Sequence, residues 1–288
     1  MKNYLYAFGA ILCWASLPAA TGSGLKGLSV EALMFISFIT AAAYLYAQDV
    51  IRTRSLRVHF PDLKTSLFGV WGIFVYHYVY YNALNHAPLA EAAILTTTWS
   101  FWIVVFSALL LFRKLKISIL LTALAGMAGA ALVIASGKEL VVSMEYVQGY
   151  ILSLACGLIW ASFSVGLSHM KIEKDPMTAF TIYAAVLSAL LYFISPPQSL
   201  PSIENLLAAV YLGCVPLGLS FFLWNRAVRG GNMVVIGFLS YLTPPLAVLL
   251  VALIHGEAVS SQVLLGMAVI IVASIGGRMV LRKEQNEG

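Results

Sequence analysis

The sequence predicts an all-α polytopic membrane protein with ten transmembrane helices, arranged as two inverted five-helix repeats. Three observations support this fold class: the apolar composition, apolar runs of membrane-spanning length, and short motifs that recur half a chain apart. Of the 288 residues, 61% are hydrophobic and 10% are charged, whereas soluble domains contain roughly 25% charged residues. Because no soluble core could bury so much apolar surface, lipid must surround most of the chain.

Ten apolar runs have the length of a transmembrane helix. About 20 helical residues cross the ~30 Å hydrocarbon core of a bilayer. We place the spans at 4–22, 30–50, 66–84, 90–112, 117–136, 147–169, 177–194, 204–225, 232–254 and 261–281. The longest connection is 51–65, so we expect no separate soluble domain.

The basic residues indicate how these spans are oriented. If the N-terminus is cytoplasmic, all of the 17 Lys and Arg residues except Lys26 and Lys138 lie on the cytoplasmic side, as the positive-inside rule requires. We therefore expect both termini in the cytoplasm. The net charge of +5 is explained by orientation in the bilayer and gives no reason to expect a nucleic-acid partner.

Three short motifs recur in the same order in both parts of the chain. They are Trp14-Ala15-Ser16 with Trp160-Ala161-Ser162, Tyr81-Asn82-Ala83 with Trp224-Asn225-Arg226-Ala227, and Gly126-Met127-Ala128 with Gly266-Met267-Ala268. This order predicts two repeats, 1–140 and 141–288, of five spans each. Because five is odd, the second repeat starts on the opposite face of the membrane. Inverted repeats of this kind place a transporter's substrate site near the bilayer midplane, between the halves.

Small residues in spans 5 and 10 indicate close helix packing. Gly126 and Gly129 form such a patch in span 5, and Gly266 and Ala273 do so in span 10. Small residues let helices approach closely in lipid. Packing within one chain and packing in a homodimer are both compatible with the pattern, so a monomer and a homodimer both remain open.

The chain carries no recognisable enzyme or metal motif. It lacks HExxH, a glycine-rich phosphate loop and a Cys/His cluster, and Cys13, Cys156 and Cys214 lie singly within apolar spans. Such spacing supports neither a disulfide framework nor a metal site. We therefore predict that the protein is not an enzyme and uses no metal or cofactor.

His77 is the clearest ionisable residue near the centre of a span. Such a residue is a functional candidate because placing it in the membrane is costly. Helical spacing puts Tyr76 and Tyr80 on the same face, which predicts that the three line a cavity. The alternative is a neutral core histidine bonded to a neighbouring hydroxyl.

The predicted cavity also includes tryptophans and an irregular stretch of span 9. Trp14, Trp99 and Trp160 lie near the middle of their spans, and a buried indole N–H needs a partner; Trp102 fits a cavity and a lipid-facing position equally well. Pro244 and Pro245 cannot donate to the carbonyls of the residues four positions earlier. We expect free carbonyls there, with Ser240, Tyr241, Thr243 and Pro244 at the site, or else a packing kink compensated by the hydroxyls.

This candidate lining is rich in rings and hydroxyls and poor in charge. Rings bind flat apolar groups and cations, whereas phosphorylated substrates require Arg or Lys. The lining therefore favours small zwitterions, neutral solutes and organic cations as substrates.

The paired Trp-Ala-Ser motifs, Trp224-Asn225, Gly231-Asn232 and the stretch Ser240-Tyr241-Leu242-Thr243-Pro244 resemble the EamA family of the drug/metabolite transporter superfamily, in particular its YddG-type exporters. The resemblance covers essentially the whole chain. It implies a secondary transporter of a bacterial inner membrane that exports amino acids, especially aromatic ones, and cationic compounds through a central cavity. The Trp-Pro that is common in span 4 of this type is Trp99-Ser100 here, which predicts a weaker helix break.

The sequence leaves open which solute is transported and whether transport is coupled to protons. The same architecture would also serve another small solute, such as a polyamine, a sugar-like metabolite or a drug. His77 titrates near neutral pH when unperturbed, so it could carry a proton as the coupling ion. It could equally be a neutral hydrogen-bond partner in a passive facilitator.

Overall fold

Ten membrane-length helices run in the order that the sequence predicts. The computed structural model describes residues 1–114, 116–195, 201–255 and 258–286, and every regular element in these ranges is helical. The helices are α1 (Lys2–Ala15 and Leu17–Leu25), α2 (Val30–Thr53), α3 (Leu63–Gly69, Val70–Val75 and Tyr76–His86), α4 (Leu89–Thr96 and Trp99–Phe112), α5 (Ile117–Ile134), α6 (Val147–His169), α7 (Met177–Ile194), α8 (Ile203–Leu212, Gly213–Leu219 and Ser220–Gly230), α9 (Met233–Ser240 and Thr243–His255) and α10 (Ser261–Asn286). The predicted all-α, multi-span fold class is confirmed.

One of the ten helices is less apolar than the others. Within the described residues, nine helices are long and apolar enough to cross a membrane, and α3 is the helix that falls short. Its third part, Tyr76–His86, carries four tyrosines and two histidines. Polar side chains at membrane depth are tolerated where they face the interior of the bundle, so this composition already marks α3 as a helix that contributes to a site.

Side-chain caps fix where several helices begin. Ser29, Asp62, Ser202 and Asn232 stand immediately before α2, α3, α8 and α9, and each side chain accepts a hydrogen bond from a backbone N–H of the first turn. These bonds satisfy donors that have no partner within the helix. The caps therefore fix where these four helices begin.

α3 and α8 each contain a π-helical segment, Val70–Val75 and Gly213–Leu219. The two segments begin 143 residues apart, which is also the separation of Tyr81 and Trp224 in the recurring motifs. π-helical turns are rare and frequently occur at functional sites. The third and the eighth helix thus both deviate from α-helical geometry, 143 residues apart.

α4 and α9 are both interrupted near their centres. In α4 the helix breaks between Thr96 and Trp99, although no proline is present. The hydroxyls of Thr96, Thr97 and Thr98 donate to backbone carbonyls three or four residues earlier, at distances of 2.6–3.1 Å. Threonine hydroxyls that bond the backbone in this way weaken and bend a helix. The threonine run therefore interrupts α4 for two residues without a proline; that this break is weaker than one made by Trp-Pro stays a prediction.

Helices of the first half pack mainly against helices of the second half. α5 packs along α10, α2 along α7, α1 along α8, and α3 along α6. At the α5–α10 contact, a methyl group on Gly129 would lie 2.9 Å from the Gly266 carbonyl oxygen, and one on Gly266 would lie 2.8 Å from the Gly129 oxygen. The small residues predicted in these two spans thus bring the two backbones together within one chain.

Candidate functional site

Four tryptophans from four helices meet at the centre of the molecule. Trp14 of α1 lies 5.8 Å from Trp99 of α4, 5.3 Å from Trp160 of α6 and 4.9 Å from Trp224 of α8, measured between ring centroids. All three contacts are edge-to-face, an arrangement that the aromatic quadrupole favours. Each ring is at most 8% exposed. The cluster joins helices from both halves of the chain.

A cavity of about 80 Å³ lies beside this cluster. Seven of the ten residues predicted for the site line it: Trp14, Tyr76, His77, Tyr80, Trp99, Trp160 and Thr243. The lining also contains residues that were not predicted: Leu17, Pro18, Ala93, Thr96, Thr97 and Phe221. The structure brings these seven predicted residues together, and substrate binding by them stays a prediction.

The other three predicted residues lie outside the cavity lining. Ser240 is fully buried and its hydroxyl donates to the Ile236 carbonyl at 2.8 Å. The Tyr241 hydroxyl donates to the Ala123 carbonyl of α5 at 2.8 Å. Pro244 is likewise absent from the lining. The Tyr241 side chain therefore points toward α5 and connects α9 to that helix. Thr243 is the residue of α9 that lines the cavity.

The carbonyl of Ser240 is not free, contrary to expectation. Pro244 removes its helical donor, but the Thr243 hydroxyl donates to this oxygen at 2.8 Å. A buried carbonyl without a partner is costly, and the nearby hydroxyl removes that cost. The Ser240 carbonyl therefore already accepts a hydrogen bond from the protein. At this carbonyl the structure shows the alternative that the sequence leaves open, compensation by a nearby hydroxyl.

The α3 face presents two stacked tyrosines and a histidine. The rings of Tyr76 and Tyr80 are 5.9 Å apart and nearly parallel, and Tyr76 lies 4.9 Å from Trp160. His77 Nδ1 lies 2.7 Å from the Ile73 carbonyl oxygen. Because a carbonyl only accepts, Nδ1 carries the hydrogen, and Nε2 of a neutral imidazole is then an acceptor.

Hydrogen bonding divides the tryptophans of the cluster into two pairs. The Trp14 indole donates to the Pro216 carbonyl and the Trp224 indole to the Ser164 hydroxyl, each at 3.0 Å. Trp99 and Trp160 donate to no group in the described part of the chain, although they are only 8% and 3% exposed. Buried N–H groups usually have a partner, so these two indoles are available to a molecule in the cavity.

Two tyrosine hydroxyls at the cavity also lack a hydrogen-bond partner among the described residues, and the described lining contains no charged carboxylate, lysine or arginine. Tyr76 and Tyr80 are 8% and 5% exposed and their hydroxyls bond no described residue. None of the described residues that line the cavity is Asp, Glu, Lys or Arg. The site can therefore offer ring faces, neutral donors and neutral acceptors, and no fixed ion.

Comparison with known proteins assigns the chain to a family. A family model described as the EamA-like transporter family matches residues 1–135 and again 147–276. The chain belongs to the EamA-like transporter family. Family membership makes it a multi-pass membrane transporter for a small molecule rather than an enzyme, and confirms the resemblance seen in the sequence.

Three relatives of this EamA-like transporter are informative. An aromatic amino acid exporter YddG of Ancylobacter novellus is 31% identical over 281 residues, which cover 97% of this chain and 98% of the relative. A riboflavin transporter of Brucella anthropi is 23% identical over 172 residues, covering 59% and 56% of the two chains. A solved crystal structure superposes with a TM-score of 0.87 at 30% identity and covers 98% of both chains.

Two of the aromatic residues at the site of this EamA-like transporter were not recognised as candidates from sequence. Trp224 belongs to the tryptophan cluster and Phe221 lines the cavity. A signal for Trp224 was present, since it opens one of the recurring motifs. Phe221 lies in the apolar sequence SFFLW, where nothing distinguishes it from Phe222, so only the helical phase of α8 could identify it.

The structure also places Trp102, for which the sequence leaves a cavity and a lipid-facing position open, and it gives Glu91 a partner. Trp102 is half-buried, contacts Phe101 and Phe106, and does not line the cavity. The Glu91 carboxylate accepts a hydrogen bond from the backbone N–H of Val141. Glu91 therefore ties α4 to the connection between the two halves.

Proposed function

We propose that this transporter exports neutral amino acids, aromatic ones foremost, across a bacterial inner membrane by alternating access through the central cavity. The observation that carries the proposal is an uncharged cavity lined by aromatic rings, in which the donors of Trp99 and Trp160 have no partner in the described protein. The similarity to an aromatic amino acid exporter over nearly the whole chain supports the same substrate class.

The cavity offers a complementary group for each part of an aromatic amino acid. Its rings can stack with the substrate side chain, at about 0.5–1.5 kcal/mol for each ring pair. The two free indole N–H groups suit the carboxylate. The ammonium can lie over a ring face, at ~0.5–2 kcal/mol, with the oxygens of Thr96 and Thr97 as acceptors, since their hydrogens already bond the Ala93 carbonyl.

Alternating access would use two halves, 1–140 and 141–288, related by an axis in the membrane plane. In support, the cavity is lined by α1, α3 and α4 of the first half and by α6, α8 and α9 of the second, which are the same three positions in each. The π-helical segments and the interrupted helices also occur at corresponding positions. The distribution of Lys and Arg supports cytoplasmic termini.

Proteoliposomes test the substrate class directly. We expect vesicles that contain the protein to release labelled phenylalanine, tryptophan and leucine several-fold faster than protein-free vesicles, with the aromatic substrates fastest. Riboflavin and putrescine, assayed in the same vesicles, serve as competing solute classes. Release of riboflavin or putrescine without release of any amino acid would contradict the proposal and favour the alternative substrate.

We further propose that transport does not require a proton gradient. No carboxylate lies among the described lining residues that could balance a protonated His77, and an unpaired buried charge is strongly unfavourable. Phenylalanine flux is expected to be equal, within about twofold, with and without an imposed pH gradient of one to two units. Accumulation against the phenylalanine gradient, driven by the pH gradient alone, would overturn this prediction.

A further inference from the structure

The Trp14 indole is held by a carbonyl of the π-helical segment in α8. Its N–H donates to the Pro216 oxygen at 3.0 Å, and the hydroxyl of Ser220 donates to the same oxygen. A carbonyl oxygen has two lone pairs and can accept both bonds. The ring of Trp14 is therefore fixed by the protein itself.

The molecule contains a second, corresponding set of indole, carbonyl and side-chain donor, but there the indole does not bond the carbonyl. The recurring motifs relate Trp14 to Trp160, and the separation of 143 residues between the third helices relates Pro216 to Ile73 and Ser220 to His77. The Ile73 carbonyl accepts from His77 Nδ1 at 2.7 Å. It receives no bond from Trp160, whose indole has no partner in the described residues.

The residues at positions 77 and 220 differ in size. The serine hydroxyl at 220 is small and leaves space beside the Pro216 oxygen for an indole. The imidazole of His77 is a bulky donor at the equivalent oxygen. It is held in place by edge-on contacts with Phe38 at 5.2 Å and Phe221 at 5.7 Å.

We propose that His77 is a positioning residue, which occupies the Ile73 carbonyl and so keeps the Trp160 indole N–H free to donate to the carboxylate of the substrate. This inference rests on the proposed function for the identity of the substrate. The role of His77 toward Trp160 is a property of the protein alone and can be measured without any transport assay.

The experiment uses protein with ¹⁵N-labelled tryptophan in nanodiscs. The six tryptophans give six indole signals, and the Trp160 signal is assigned by its loss in Trp160→Phe. In His77→Ser, which copies the arrangement at position 220, we expect the Trp160 indole proton to move downfield, toward the position of the hydrogen-bonded Trp14 signal. The matched control Ser220→Ala should leave the Trp160 signal unchanged.

Titration of the wild-type protein gives a second test that does not depend on a variant. Phenylalanine should move the Trp160 indole proton downfield, as a hydrogen bond to its carboxylate does, whereas phenethylamine, which lacks the carboxylate, should give no downfield shift. In His77→Ser the KM for phenylalanine should rise about tenfold, the effect of one lost hydrogen bond, with little change in maximal rate. A Trp160 signal that stays in place in His77→Ser, or that responds equally to both ligands, overturns the inference; absence of amino acid flux in the wild type overturns the proposed function instead.

Discussion

Replacing Trp160 with alanine is expected to reduce the transport of aromatic amino acids roughly 30-fold or more. The substitution removes an indole N–H that has no partner among the described residues and a ring that lies 4.9 Å from Tyr76. A hydrogen bond to a carboxylate contributes about 1.5–3 kcal/mol and a ring pair about 0.5–1.5 kcal/mol. A loss of ~2–4.5 kcal/mol corresponds to roughly 30-fold to 2,000-fold. The measurement is kcat/KM for phenylalanine release from proteoliposomes.

Two further variants separate the chemistry of Trp160 from its packing. Trp160 is 3% exposed, and deleting so large a buried side chain destabilises by about 3–5 kcal/mol, so folded protein must be verified by its thermal midpoint. Trp160→Phe keeps a ring and loses the N–H, and we expect about a tenfold loss. Trp102→Ala removes a tryptophan that does not line the cavity and should transport normally. Normal flux in folded Trp160→Ala would remove Trp160 from the site.

Much of the fold was predictable because composition and length determine it in a bilayer. A segment in lipid must satisfy its backbone internally, so an apolar run of about 20 residues has few alternatives to a helix. Even α3, the least apolar of the ten, was recognised, since its polar residues lie within a continuous run. The helix interruptions were harder to predict. No proline marks the π-helical segment of α3, and Thr96–Thr98 break α4 through hydroxyl bonds that proline-based reasoning ignores.

The candidate site was predictable to the extent that it depends on single helices. Mid-span aromatic residues of α1, α3, α4 and α6 share the cavity because the α-helical period fixes which residues face the same way. In α9 the break between Ser240 and Thr243 changes the phase, so residues adjacent in sequence turn in different directions. Tyr241 bonds Ala123, 118 residues away, and Trp14 bonds Pro216, 202 residues away. Contacts at such separations decide which groups are free, and a single sequence does not contain them.

Replacing Gly72 with alanine is expected to lower the thermal midpoint by roughly 5–10 °C and to reduce transport. A methyl group at this position would lie 1.9 Å from Cδ2 and 2.0 Å from Cγ of Phe163, well inside van der Waals contact. Overpacking of this kind costs about 1–3 kcal/mol, and occasionally more. Gly72 and Phe163 lie on α3 and α6, the helices that carry Tyr76 and Trp160, so separating them also disturbs the cavity. Thermal unfolding in detergent measures the first effect.

A control variant and a double-mutant cycle show whether the loss of stability in Gly72→Ala comes from contact with Phe163. Gly22→Ala adds the same methyl group to α1, where no described atom outside the local helix backbone lies within 4 Å, and should leave the midpoint unchanged or raise it slightly, since alanine is the better helix former. Phe163→Leu shortens the side chain opposite Gly72. Combined with Gly72→Ala, it should destabilise by clearly less than the sum of the two single changes, because the residues are in direct contact. Strict additivity would show that Phe163 does not limit the approach of α3 to α6, and that the glycine is required for the π-helical backbone instead.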